Sequence, residues 1–528
     1  MKGDFMETFL YWAVVIAYSI GMIAIGVYIW LRNKGKPISQ LEFWIAQRQL
    51  PSWWLAMSLT AGWLMLGWIG FGISQIYMYG ATGLWIIPIP WFVLCFLIIL
   101  LVPFYRRVGA VSLPQMLEKR FGKPARILIA FFSFFVFIFW AQAETFMAGT
   151  LLSPFLGIDP KLCMVLIVIP VIIYTYLGGF RAVVMTDVFQ FSLMAIFMII
   201  LTSIAITSAI NITNGNVIQA IASTSPPWSG AGQAFNFNFL GIGFPIILLL
   251  GYLPGWLIEQ DLSVRMQAAK STKNARKAAW LGLLLIGTFV IILPTIIGFC
   301  SMVVFPASGG VPHEAVGATG LTIISSFISQ LPLWLSAFMV VGIVASQMST
   351  IDTFSNVSAM PIAYDIIDPI LVKAKISQFI RANVSKLVSV AVLLIALLLA
   401  FLSESLNDVY YITSGVLSAS IAVQVIFMFW KRTTLPAVII SSVIGFVATV
   451  GGYFLEYKIL LNADGTTSLP APFNSTWGYN YLALGVVLSL FTIIIVSILT
   501  RRSPQNMIDN VKPMPVDDYQ EFELSSAN

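Results

Sequence analysis

Runs of about 20 apolar residues recur from one end of this 528-residue chain to the other. A run of that length crosses the hydrocarbon core of a bilayer as a helix. In lipid every backbone polar group must be bonded within the chain, so only helices and closed barrels can span it. A barrel would show short alternating segments, and these runs are continuous. The chain is therefore expected to be an all-α polytopic membrane protein. Its composition agrees: 59% of residues are hydrophobic and 9% are charged, against about a quarter charged in a soluble protein.

Thirteen spans are expected, at residues 7–31, 52–78, 82–104, 127–153, 160–177, 183–209, 238–263, 278–305, 332–362, 387–403, 409–430, 434–455 and 478–500. The first run shows no small-residue cleavage site and is read as a span. Loops after odd-numbered spans hold 25 of the 28 lysines and arginines, leaving only Lys2, Lys161 and Lys458 on the other side. Positive charge marks the cytoplasmic side, so the N-terminus is expected outside and the C-terminus inside. A transmembrane domain over 1–503 is followed by a polar, disordered cytoplasmic tail at 504–528. Short outer loops point to the cell (plasma) membrane. The net charge of +6 is scattered through loops, which is no footprint for nucleic acid. Cys95, Cys163 and Cys300 lie in apolar runs and His313 lies in a loop, so neither a zinc site nor a histidine-based triad is expected.

Two spans are interrupted. The second contains TAGWLMLGWIGFG, with Gly62, Gly67, Gly70 and Gly72, and the seventh contains LGYLPGWLIEQD, with Gly251, Pro254 and Gly255. Five spans separate them, so each opens a candidate five-helix repeat, over about 52–209 and 238–430. Interrupted segments at matching positions of two halves point to a secondary transporter's binding site, because unwound backbone leaves carbonyls and amides free at membrane depth. The plainer alternative is glycine-mediated packing.

The ninth span carries VASQMSTIDTFSNVS, Val344 to Ser358, in which six of fifteen residues are Ser or Thr and one is Asp352. Ser346, Ser349, Thr350 and Thr353 share one helical face, with Asp352 at its edge. Hydroxyl and carboxylate oxygens suit a hard cation. Hydroxyls that bond back to their own helix explain a serine or two. They do not explain an aspartate, which costs roughly 2.5 kcal/mol or more at a span centre.

This comb resembles the sodium-binding helix of the sodium:solute symporter family, which includes sodium/glucose, sodium/proline and choline transporters. YTYLGGFRAVVMTDVFQ (Tyr174–Gln190), WLIEQDLSVRMQAAKS (Trp256–Ser271) and FWKRTT (Phe429–Thr434) are similar to further family motifs. The resemblance covers roughly residues 7 to 500 and implies a LeuT-type 5+5 inverted-repeat core with three accessory helices. It implies a main sodium site made by the carbonyls of Met57, Thr60 and Ser346 and the hydroxyls of Ser349 and Thr350. A second cation site would use Asp187, Ser349, Asp352 and Thr353. Relatives often have alanine where Ser346 stands, which is harmless if only the carbonyl binds. Sodium/proline relatives carry an aspartate where Leu59 stands, so any role of that acid is absent.

The solute is less defined. Candidate substrate contacts are Trp63, Trp140, Glu144, Tyr252, Trp256 and Glu259. Aromatic faces attract cations, worth about 2 kcal/mol when desolvated, and a carboxylate among them suits an amine or quaternary ammonium. Choline transporters of the family are similar at Trp63 and Trp140 but carry tryptophan where Glu259 falls; other members place neutral amino acids or sugars there. No Lys, Arg or His is expected well inside a span, which argues against an organic acid. The expected function is sodium-coupled import of a small organic solute by alternating access, with solute, sodium and the lipid bilayer as partners and no nucleic acid. The alternatives are a proton-coupled symporter, with a proton on Asp352, and a ligand-sensing transporter-like protein. No enzyme is expected: there is no P-loop, GxSxG or HExxH.

Overall fold

The computed structural model describes residues 2–33, 40–108, 110–403, 407–459 and 479–510. These form helices and turns, with two isolated β-bridges and no strand among the described residues. Ten helices are long and apolar enough to cross a membrane, and the bent pair Ser52–Trp63 and Leu66–Trp85 makes one more. Pro88–Val102 is a shorter apolar helix. The helix Pro160–Thr213, at 54 residues, would run ~80 Å if straight, more than twice a bilayer core. It holds the expected fifth and sixth spans, so each of the thirteen apolar segments read from the sequence has its helix.

Those two spans meet without a loop. The turn falls on Gly179, at φ +56° and ψ −156°, inside an otherwise helical run. A left-handed φ favours glycine, and a Cβ there would also lie 2.7 Å from the ring of Phe43. The YTYLGG segment is thus helix up to the turn, and FRAVVMTD continues as helix after it.

The second span breaks at Leu64 and Met65, between Ser52–Trp63 and Leu66–Tyr79, and bends by 59°. The seventh is Gly243–Trp256, then a turn at Leu257–Glu259, then the helix Gln260–Ala268. Pro254 lacks an N–H and weakens the helix at this point. The neighbouring Gly255 N–H donates to Ser418 Oγ at 3.0 Å, on a π-turn of the eleventh span.

The ninth span, Leu333–Met360, is the central post. It packs on the fourth span Lys123–Leu156, on Pro160–Thr213, on the first span Lys2–Asn33 and on the first half of the second. From Gly342 through Met360 every one of its residues is buried, so its hydroxyls and Asp352 face protein rather than lipid. At the C-terminal end, Gln505–Asp509 is a short helix with Ile508 buried, so the tail begins with ordered structure where disorder is expected from its composition. Residues 511–528, Lys34 and Lys36 lie outside the described residues.

Candidate functional site

The break in the second span is closed by one side chain of the ninth. Ser346 Oγ donates to Leu64 O at 2.6 Å and accepts from Leu66 N at 3.3 Å. A helix interruption leaves a carbonyl and an amide without their helical partners, and this hydroxyl serves one of each. It lies between the two half-helices.

The neighbouring hydroxyls also give up their protons. Ser349 Oγ donates to Asp187 Oδ1 at 2.6 Å, and Thr350 Oγ1 donates to the Ser346 carbonyl at 2.7 Å. A hydroxyl has one proton and two lone pairs. With its proton committed it presents only acceptor character to whatever else it meets. Oxygen lone pairs of this kind, beside a backbone break, are the groups a hard cation takes.

The expected carbonyl donors are placed differently. Met57 and Thr60 lie within the regular helix Ser52–Trp63, and Thr60 O already accepts from Leu64 N at 2.8 Å. The carbonyl that meets the hydroxyl comb is that of Leu64, one turn further on.

Behind the comb lies a residue that the sequence alone places in a cytoplasmic loop. Arg265 is 1% exposed, within the helix Gln260–Ala268. Its guanidinium donates to Ser58 Oγ at 3.0 Å, Thr353 Oγ1 at 2.9 Å and Asp187 Oδ2 at 3.4 Å, and lies 3.6 Å from Asp261 Oδ2. The expectation that no arginine lies well inside a span counted Arg265 with the loop after the seventh, whereas that apolar segment runs on to Ala268. The stretch EQDLSVRMQ is polar enough to resemble a loop, and packing against the second, third and ninth spans and the helix Gln40–Ile45 buries it. The residues expected at a second cation site are already joined: Asp187 accepts from Ser58 Oγ, Ser349 Oγ and Arg265, Thr353 accepts from Arg265, and Asp352 accepts from Tyr174 OH.

The expected solute contacts fall into two groups. Trp63, Tyr252 and Trp256 belong to one ring cluster. Tyr252 stacks on Trp256 at 4.8 Å, and Trp91 lies 5.3 Å from Trp63 and 6.1 Å from Trp256. Trp68 joins at 6.1 Å from Trp256 and 4.6 Å from Tyr410. Trp63 Nε1 donates to Asp261 Oδ2 at 2.8 Å. Trp140 stands apart, against Phe137 and Phe354, with its Nε1 donating to Thr413 Oγ1 at 2.7 Å. Glu144 touches the first group through Tyr410, whose hydroxyl donates to its Oε1. Glu259 stands just before the first turn of Gln260–Ala268 and is buried. Ser58, Trp91 and Tyr410 lie in no segment that the sequence singles out, and Trp68, Tyr174 and Arg265 lie in quoted segments without being singled out in them. Most of their contacts are with residues far away in the chain.

Apart from Met57, these residues are buried.

The family model for the sodium:solute symporter family matches residues 43–445. The sodium/glucose cotransporter 1 of Oryctolagus cuniculus is 25% identical over 544 residues, covering 93% of this chain and 79% of that protein. The sodium/glucose cotransporter of Vibrio parahaemolyticus is 27% identical over 478 residues, covering 83% and 84%. Among solved structures, a sodium-coupled sialic acid symporter in a substrate-bound outward-open state is similar, with a TM-score of 0.72. It is 20% identical and covers 94% of this chain and 98% of its own. At that identity the likeness is one of fold, the LeuT-type fold that the family resemblance implied.

Proposed function

The chain belongs to the sodium:solute symporter family, a family of multi-pass membrane transporters, and on that premise we propose that it couples sodium entry to the import of a small organic solute. The observation that carries this reading is the set of committed hydroxyls at the break. Ser346, Ser349 and Thr350 each donate their proton within the protein, leaving lone pairs as the only groups offered to a ligand. The sodium ligands are then the hydroxyls of Ser349 and Thr350, the Ser346 carbonyl and the last carbonyls of the first half-helix. Leu64 takes the part that the resemblance gave to Met57 and Thr60. A carbonyl that accepts one hydrogen bond keeps a second lone pair for the ion.

The second cation position is read as held by Arg265. Its guanidinium sits among Asp187, Thr353 and Asp261 as a permanent charge, so one sodium per cycle is proposed. Sodium binding would tie the second span to the ninth, favour the solute-competent conformation, and be released when the two bundles rock. The membrane potential contributes roughly 2.3 kcal/mol per charge per 100 mV. The solute contacts are Glu144, Tyr252, Trp256 and Trp63 with Trp68 and Trp91; Trp140 and Glu259 would support them from outside the ring cluster. An amine, a quaternary ammonium or a neutral amino acid fits this surface.

The test is uptake into proteoliposomes. With an inward sodium gradient, a panel of radiolabelled amines, ammonium compounds and amino acids should yield at least one solute accumulated above equilibrium. Replacing sodium by potassium should abolish that accumulation. Accumulation driven by a proton gradient alone would transfer the coupling to hydrogen ions. Saturable binding without accumulation would favour a sensor.

A further inference from the structure

Glu144 lies midway along the fourth span and is wholly buried. Its Oε2 accepts from the backbone N–H of Gly67 at 3.3 Å, and its Oε1 accepts from Tyr410 OH. The amide of Gln347, with its nitrogen turned to Glu144, donates to Oε2 at 3.3 Å and to the Glu144 carbonyl at 2.7 Å. Gly67 is the second residue of the 14-residue half-helix Leu66–Tyr79. The amides at the start of such a helix are unbonded within it and the dipole there favours an anion. The approach is close: a Cβ on residue 67 would lie 2.7 Å from Glu144 Oε1. Glycine at 67 is what lets the carboxylate reach the backbone.

In transporters with broken helices, the N-terminus of a half-helix is where an anionic group of the substrate lands. Here the protein's own carboxylate is already there. We infer that Glu144 is a resident anion that determines the charge class of the solute: the site takes a hydrogen-bond donor such as an amine, an ammonium or a polyol, and excludes a free carboxylate. This rests on the transporter reading only for the location of the solute site.

A further observation points to a polar ligand in the ring cluster that Tyr410 joins to Glu144. Tyr252 and Tyr411 are wholly buried and their hydroxyls have no partner among the described residues. Tyr252 stacks on Trp256 and on Tyr411, at 4.8 and 5.7 Å, and Tyr411 follows Tyr410 in the chain. A buried hydroxyl without a partner costs about 1–3 kcal/mol, a cost that a polar solute would relieve. The carboxylate is fixed in place by the Gly67 and Trp68 amides, Tyr410 OH and Gln347. The arginine that could have recruited an acid is engaged elsewhere, because Arg265 is surrounded by Asp187, Asp261, Ser58 and Thr353. Among the solutes considered above, the inference favours amines and ammonium compounds over amino acids, whose own carboxylate would compete with Glu144 for the same amides.

The test is tryptophan fluorescence of the purified full chain titrated with acetate, the smallest carboxylate probe, in sodium and in potassium buffer. Wild type should show no saturable acetate response. In Glu144→Ala, acetate should bind at least ten-fold more tightly, by seating on the amides that the side chain vacated. If that variant fails to fold, Glu144→Ser carries the test: the shorter side chain vacates the same amides and keeps a polar group at 144, so acetate should again bind at least ten-fold more tightly. Tyr410→Phe keeps the carboxylate and should stay silent. A saturable acetate response in wild type, or equal acetate affinity in wild type and a folded Glu144 variant, would overturn the assignment. An absence of any difference between sodium and potassium would count against the symport reading and leave the acetate comparison to judge Glu144.

Discussion

At the scale of single residues, the site consists of groups whose protons and charges are already assigned. Ser346, Ser349 and Thr350 differ in what they do with the oxygen that remains. Ser346 Oγ is used twice at the break, so an ion would meet Ser346 through its carbonyl, which also accepts from Thr350 Oγ1. Ser346→Ala should therefore keep sodium binding within a few-fold while lowering stability by about 1–3 kcal/mol, read by thermal melting in detergent. Ser349→Ala should lose sodium binding and also lower stability by about 1–3 kcal/mol, because Asp187 loses a donor; sodium binding retained within a few-fold would move the ion away from the Ser349 hydroxyl. Arg265 supplies a second contrast. Removing one partner of a buried charge pair costs about 3–5 kcal/mol, because the other charge is left unpaired. Arg265→Gln should melt far below wild type, and adding Asp187→Asn should recover part of the loss. Strictly additive losses would mean that the two groups are not coupled. The hydroxyl comb is legible in the sequence because its spacing is local. Arg265 is not, because burial of that side chain depends on Ser58, Asp187 and Thr353, which lie on other helices.

At the scale of elements, two interruptions do different work. The break at Leu64 and Met65 exposes backbone to the ninth span, whereas the turn at Gly179 redirects the chain between the fifth and sixth spans. The first was legible in the glycine-rich TAGWLMLGWIGFG, but not its position. The polar atom that stabilises it comes from Ser346, 280 residues away, and it meets the Leu64 carbonyl. The second reads in the sequence as a short loop, and the structure compresses it into one left-handed residue. Gly179→Ala should destabilise by about 1–3 kcal/mol, from the positive φ and from the clash with Phe43. A melting temperature equal to wild type would mean that the turn adapts freely. Fifth and sixth spans that turn sharply set Asp187 on the face opposite Ser349, so a loosened turn should also weaken sodium binding.

At the scale of the whole molecule, thirteen apolar segments and a strong charge bias were readable because membrane insertion depends on sums over many residues. Those sums tolerate local error, such as counting Arg265 with the loops. The bias predicts an outside N-terminus and a cytoplasmic C-terminus. Single cysteines introduced near the two ends should label from opposite sides of sealed cells with an impermeant maleimide, and labelling of both from one side would contradict the count. What composition could not supply was the way the second, sixth, seventh and ninth spans meet around Asp187, Ser346 and Arg265. The central claim is that sodium binds where they meet. It is tested most directly by titrating the tryptophan fluorescence of the purified protein with sodium against potassium, in wild type and in the Ser349→Ala/Thr350→Ala double variant. A saturable response specific to sodium, with a Hill coefficient near one and lost in the double variant, is the predicted result. Equal responses to the two ions, or a sodium response that the double variant retains, would contradict it.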